Sequence, residues 1–184
     1  MGGKTRLTTE KFTKLLRNNE TNFKDVKFAE DTHLCFMNLE GLNLKNADMA
    51  GVCLHKTILK NANLEGAILS RAALSYTDFT GANLKKIGFS HSTLSYVTLA
   101  GAKVSSPMCG TDLSTVIGLD SCDLNNTYFS GTKVTTKQKK DILDRYEIME
   151  IGPNAKAHVP KAPYVRASTQ RDAFEIVKES RRKN

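Results

Sequence analysis

The sequence predicts an all-β solenoid, a four-sided β-helix in which short strands coil around columns of apolar side chains. Three observations predict it. Every fifth residue from Leu34 to Val104 is apolar, an uncharged and mostly small residue lies two places before nearly every one, and glycine recurs where each five-residue unit must turn. The 184 residues suit one domain with an appended arm. A composition with 7% aromatics and no tryptophan is thin for a core of interlocking large side chains, so repetition has to replace jigsaw packing.

The first column runs Leu34, Leu39, Leu44, Met49 and onward through Leu94, Leu99 and Val104. Neither a helix nor an ordinary strand has a period of five. At a hydrophobic frequency of 40%, fifteen consecutive matches arise by chance roughly once in a million trials. The second column includes Ala47, Val52, Ala62, Ala67, Ala72 and Ala82. Residues two apart on a strand share a face, so both point inward, the small one leaving room for the large one. Thr57, Thr77 and Ser92 fall in the same column, where their hydroxyls can satisfy backbone groups.

Gly41, Gly51, Gly66, Gly81 and Gly101 stand at the expected corners, where the backbone needs conformations that side chains resist. Ala62-Asn63-Leu64-Glu65-Gly66 and Ala82-Asn83-Leu84-Lys85-Lys86 carry the pattern Ala-Asn-Leu followed by two variable residues. In this the chain resembles the pentapeptide-repeat family. The resemblance covers roughly residues 21–134 and implies a right-handed quadrilateral β-helix with twenty residues per coil. It is specific for fold and says little of function. One extra residue precedes Leu34, the register slips around Pro107-Met108-Cys109-Gly110, and a residue is gained near Val116.

The ends of such a rod expose apolar rungs and unpaired backbone, so solenoids need caps. Residues 1–20 contain a predicted cap helix with Phe12, Leu15 and Leu16 at helical spacing. Residues 21–135 form the repeats. Residues 136–151 read as a C-terminal cap helix with Ile142, Leu143 and Tyr146 on one face; the resemblance implies that such a helix can join two copies in a homodimer. Gly152-Pro153 stops it, and residues 152–184 read as an extended basic arm. Pro160 and Pro163 hold it extended, and a short terminal helix follows, capped by Ser168 or Thr169 and carrying Ala173, Phe174, Ile176 and Val177. A helix that short needs a dock, either its own rod or a partner.

The net charge of +8 lies wholly in the flanks, because residues 21–135 hold ten basic and ten acidic side chains. Arg181 and Arg182 end the chain in a basic cluster suited to phosphate or an acidic protein surface. A basic tail is more often a solvated end, and no stacking platform supports nucleic-acid binding. Members of the resembled family that bind DNA gyrase imitate a duplex with an acidic rod, and a neutral rod departs from that pattern. No apolar run is long enough to span a membrane, and no signal peptide is evident. Four cysteines are too few and too scattered for a disulfide framework, so a reducing compartment is expected.

No nucleophile stands beside a base at catalytic spacing, so neither an enzyme nor a cofactor is predicted. Two surface groups stand out once twenty residues bring neighbours together. His33, Cys35, Cys53 and His55 fall on one face of successive coils, a composition typical of zinc, although a flat strand face presents parallel side chains rather than a tetrahedron. Outward positions accept any residue, so metal is not the leading reading. Phe36, Lys56, Tyr76 and Tyr96, with Val116 next, form a stripe that suits partner binding, docking of the arm or simple stacking. The leading expectation is a non-enzymatic protein-binding scaffold or minor structural subunit, cytoplasmic or within a large intracellular or viral assembly. It would bind its protein partner through this stripe and through Phe174, Ile176, Arg181 and Arg182 of the arm. The alternatives are a DNA-mimic regulator of gyrase or topoisomerase and a secreted bacterial effector.

Overall fold

A computed structural model describes residues 6–150, 163–167 and 173–176 of the chain. Its elements in order are α1 (Thr9–Arg17), β1 (Asn83–Lys85), β2 (Lys103–Ser105), β3 (Tyr128–Phe129), β4 (Thr132–Val134), α2 (Thr136–Leu143), β5 (Glu147–Glu150), β6 (Tyr164–Ala167) and β7 (Phe174–Ile176). Most of the rod is made not of long strands but of parallel pairings of single residues, one coil apart. Asn43 pairs with Asn63 and Asn63 with Asn83 on the first face; Asp48, Ile68 and Gly88 pair on the second. His33, Cys53, Ala73 and Thr93 form the third face, and Asn38, Ile58, Asp78 and Thr98 the fourth.

Each five-residue unit is built the same way. The central residue points in, as Leu44, Leu54, Leu59, Leu64 and Leu69 do with no exposed surface, and Ala47, Val52, Ala62 and Ala67 beside them are equally buried. The carbonyl of the central residue accepts from the amide three places on, as in Ala67 N to Leu64 O at 2.9 Å, which makes the corner a tight turn. The Asn or Asp before the central residue closes the corner from outside: the Asn63 carboxamide accepts from Glu65 N at 3.2 Å and the Asp78 carboxylate from Thr80 N at 2.9 Å. That is the physical content of the Ala-Asn-Leu pattern. Thr57 and Thr77 are buried and donate to Leu34 O and Leu54 O at 2.7 and 2.8 Å, as their inward position required, while the half-buried Ser92 donates to Leu69 O.

The pairing interval is not constant. It is 21 residues at Lys27 with Asp48, 20 through the middle, 19 at Thr98 with Ile117 and 21 again at Pro107 with Tyr128. Met108 follows Val104 by four residues, so one residue is missing there, and it is regained by Leu124. At that regained residue Gly118 has φ +77°, and a Cβ on it would lie 2.7 Å from the Ala100 backbone. Val116 is buried, and Thr115 takes the corner place the sequence reading gave to it.

α1 closes the first coil with Phe12, fully buried against Phe23 and Phe28 at centroid distances of 4.7 and 5.2 Å. At the other end α2 is shorter than the predicted 136–151. It stops at Leu143, and the chain resumes as strand β5. Ile142 and Tyr146 are buried but Leu143 is 42% exposed, so the apolar face is narrower than its periodicity suggested. Gln138 donates to Leu113 O and Val116 O, Arg145 to Leu119 O and Cys122 O, and the Tyr146 hydroxyl accepts from Leu124 N. Side chains from and just after α2 thereby satisfy backbone groups that a further coil would otherwise meet.

The predicted terminal helix is instead strand β7. Phe174–Ile176 pairs in parallel with β4, Thr132 opposite Phe174 and Val134 opposite Ile176. β6 pairs with β3 on one side and with β5 on the other, giving the order β3-β6-β5. The arm residues described here therefore continue the second and third faces of their own rod. Open strand edges offered backbone partners, and that outweighed a helical spacing of four apolar residues. Among the described residues no helix is long and apolar enough to cross a membrane.

Leu64→Lys places a charge in a closed apolar column and is expected to cost more than about 4 kcal/mol, abolishing the cooperative thermal transition. Glu65→Gln, one place on and facing outward, should leave that transition where it is. Phe174 is buried against Phe129 at 5.0 Å, so Phe174→Ala should cost about 3–5 kcal/mol at this end. The loss should be read as faster amide exchange over residues 128–134 with no change around Leu64, because coils stack on nearest neighbours.

The Lys27 ammonium, 2.6 Å from the Asp48 carboxylate, holds that carboxyl below its ordinary range by hydrogen bonding, and the Ala50 amide adds to the effect. A carboxyl depressed by folding contributes stability above its unfolded value of about 3.9, lost as pH falls through its lower folded value. Asp48→Asn should therefore be less stable than the parent at neutral pH, with the difference shrinking in melts taken below about pH 4.

Candidate functional site

The corners of the rod are chemically unequal. At the third residue of each turn the backbone is left-handed, with φ between 56° and 73° along the middle coils. The corner after the fourth face fills this place with Gly41, Asn61, Gly81 and Gly101, and the corner after the first with Asn46, Gly66 and Lys86. Glycine and asparagine tolerate that conformation; bulky side chains resist it. The corner after the third face fills it with Phe36, Lys56, Tyr76 and Tyr96, at φ 63°, 56°, 61° and 56°. Three aromatic rings are held outward in a conformation that costs of order 1–3 kcal/mol per residue.

These rings make one continuous ladder. Phe36 is 70% exposed, Tyr76 50% and Tyr96 38%. Tyr76 and Tyr96 stack with centroids 5.0 Å apart and planes 11° from parallel. Between Phe36 and Tyr76 the gap is filled by His55, edge-on to both at 5.6 and 5.7 Å. Lys56 Nζ stands 5.6 Å from the Phe36 centroid and 5.9 Å from that of Tyr76, within cation–π range. Sequence reasoning found Phe36, Lys56, Tyr76 and Tyr96 from the twenty-residue interval. It assigned His55 to the other cluster, because position alone does not show that an imidazole one place back can lean between two rings.

That other cluster is not assembled as expected. His33 does pair with Cys53 across the coils. Cys35 and Cys53, diagonal to each other with Cα atoms 5.7 Å apart, are joined as a disulfide, where the sequence reading set them among candidate zinc ligands. Sulfurs so joined are not thiolate ligands. Among the described residues no group of three or more His, Cys, Asp or Glu could hold a metal. Of the remaining cysteines, Cys109 is exposed, while Cys122 is buried and its thiol is pushed up to about 12 by that burial.

The arm residues fall elsewhere. Phe174 is 7% exposed inside its own rod, which removes it from any partner surface and from the aromatic corner alike. Ile176 belongs to β7 through its backbone, and Arg181 and Arg182 lie outside the described residues. Along the rod, carboxylates are met by lysines: Asp48 by Lys27, Glu65 by Lys45 at 3.2 Å and Asp78 by Lys60 at 3.4 Å. Acid and base alternate on these faces instead of collecting into an acidic stripe.

Comparison with known proteins bears on the fold. No curated protein matches the chain. Among solved structures, the pentapeptide repeat protein Rfr23 of the cyanobacterium Cyanothece 51142 is 21% identical, with a TM-score of 0.52 over 70% of this chain and 95% of that one. HetL of Nostoc sp. strain PCC 7120, a pentapeptide repeat protein involved in heterocyst differentiation regulation, is 21% identical over 71% of this chain and 61% of its own, with a TM-score of 0.30. A trypsin-treated form of QnrB1, a plasmid-mediated fluoroquinolone resistance protein, is 14% identical over 73% and 69%, with a TM-score of 0.32. The family model for pentapeptide repeats matches eight copies in overlapping stretches at residues 30–66, 54–85 and 67–106. Residues 30–106 therefore carry pentapeptide repeats, and the chain shares the right-handed β-helix solenoid fold of pentapeptide repeat proteins.

Proposed function

We propose that the protein is a non-enzymatic interaction scaffold that holds a protein partner against the corner formed by Phe36, His55, Lys56, Tyr76 and Tyr96. One observation carries the reading: among the described residues, this corner sets three aromatic rings and a lysine in left-handed positions where Gly or Asn would sit without strain. Strain retained at an exposed place points to a use for the side chain. Aromatic groups with a cation between them are what protein interfaces concentrate at their centres. The alternation of acid and base along the rod supports a mixed protein surface over imitation of a polyphosphate.

The test follows from the backbone. Phe36→Asn, Tyr76→Asn and Tyr96→Asn together remove the rings and relax three corners, so the loss of about 0.5–1.5 kcal/mol per aromatic contact is offset by strain relief. The triple variant should melt within a few degrees of the parent and lose at least tenfold in affinity for any protein that the parent captures from its native source. Full retention of those proteins by the variant sinks the reading.

A further inference from the structure

Among the described residues, the parallel pairing of coils on the second and third faces is interrupted at one place, between residues 87–95 and 107–115. On the second and third faces, Met49 N donates to Ile68 O, Gly51 N to Ser70 O, Leu54 N to Ala73 O, Leu69 N to Gly88 O and Arg71 N to Ser90 O, all at 2.8–3.0 Å. The corresponding amides of the next coil, those of Phe89, His91 and Leu94, donate to no carbonyl among the described residues. No parallel pairing joins residues 87–95 to residues 107–115. One coil further the ladder resumes, with Met108 N to Tyr128 O, Gly110 N to Ser130 O and Leu113 N to Lys133 O, each at 2.8 Å.

The cause lies in the sequence. The residue missing between Val104 and Met108 shortens this coil, and Pro107 stands where Gly88 stands one coil earlier. Gly88 gives its N–H to Ala67 O at 3.0 Å; Pro107 has none to give to Ile87 O. The faces part there into a cleft of about 670 Å3, with Phe89, His91 and Leu94 on one lip and Pro107, Cys109 and Asp112 on the other. It reaches toward the core: Phe89 and Leu94 are 6% and 4% exposed, where Leu54, Leu69 and Leu74 are fully covered.

We propose that this cleft is a strand-insertion site that takes one extended polypeptide segment of a partner protein, small apolar side chains alternating inward toward Phe89 and Leu94. The amides of Phe89 and His91 are two residues apart, and an extended strand offers successive carbonyls along one edge at the same interval, roughly 6.6 Å. Unmet amides and carbonyls on both lips ask for a ligand with donors and acceptors on both edges, which a peptide backbone supplies and a compact polar molecule does not. The volume falls in the range of sites for small ligands and short peptides, about 300–1,000 Å3.

The molecule contains an example of the occupant. On the same second face β6 lies between β3 and β5, with Val165 and Ala167 fully buried and Tyr164 and Arg166 partly exposed. The cleft runs up to Ser95 and Thr115 beside Tyr96, but peptide protection of Cys109 and the ring substitutions of the aromatic corner are read separately, so failure of one leaves the other standing.

The probe is the end-capped peptide Ala-Pro-Tyr-Val-Arg-Ala-Ser, the sequence of residues 162–168, added to the full chain. Cys109 on the lip is exposed and Cys122 is buried, so alkylation of Cys109 reports occupancy. Saturating peptide should slow that alkylation, and amide exchange at Phe89, His91 and Leu94, at least tenfold. Prior alkylation of Cys109 with a bulky maleimide should weaken binding at least tenfold. A scrambled peptide that does the same, protection confined to residues 126–134, unchanged affinity after alkylation, or no binding at all overturns the proposal.

Discussion

The structure depends on one constraint: the chain must return about every twenty residues to a place where its amides meet the carbonyls of the coil before. Backbone groups in the wall of a solenoid have little water to turn to, and each one left unmet costs about as much as a lost hydrogen bond. The apolar columns, the Asn or Asp beside each corner and the inward threonines all serve that return. The ends obey it too. Phe12 of α1 fills the first coil, while Gln138, Arg145 and Tyr146 meet an amide and carbonyls near the far end of the rod.

What was legible in the sequence was whatever repeats. A period of five places Leu44 and Leu64 in one column without knowledge of anything else, and a coil of twenty turns Phe36, Tyr76 and Tyr96 into neighbours. What was not legible depends on groups that meet only once. The diagonal approach of Cys35 to Cys53, the lean of His55 between two rings and the pairing of β7 with β4 each depend on local geometry or on an edge created by the rest of the fold. Phe174 and Ile176 carry no sign that a vacant strand position awaits them, so their spacing suggested a helix. The missing residue before Met108 was visible as a slip; that it exchanges Thr115 for Val116 at the corner and opens a cleft was not.

A solenoid separates its duties by face. The inward positions are committed to stacking, and the corner after the fourth face to easy turning with glycine and asparagine. The corner after the third face is then free to carry rings at a conformational cost that the surrounding ladder absorbs. The neutral balance along the rod is in part local, because Asp48, Glu65 and Asp78 each find a lysine on a neighbouring coil.

The order β3-β6-β5 has a consequence for how the molecule is made. β5 precedes β6 in the chain but lies outside it, so β5 cannot settle onto β3 without occupying the place of a strand that comes later. Stacking can proceed coil by coil from the first turn to β4, each step local and fast. The last step is different in kind, because a distant segment must thread back into a gap held open for it, and non-local pairing of that sort is slow. Until it does, the growing rod presents two adjacent strand edges to its surroundings, and during that interval the chain is most exposed to pairing with a copy of itself.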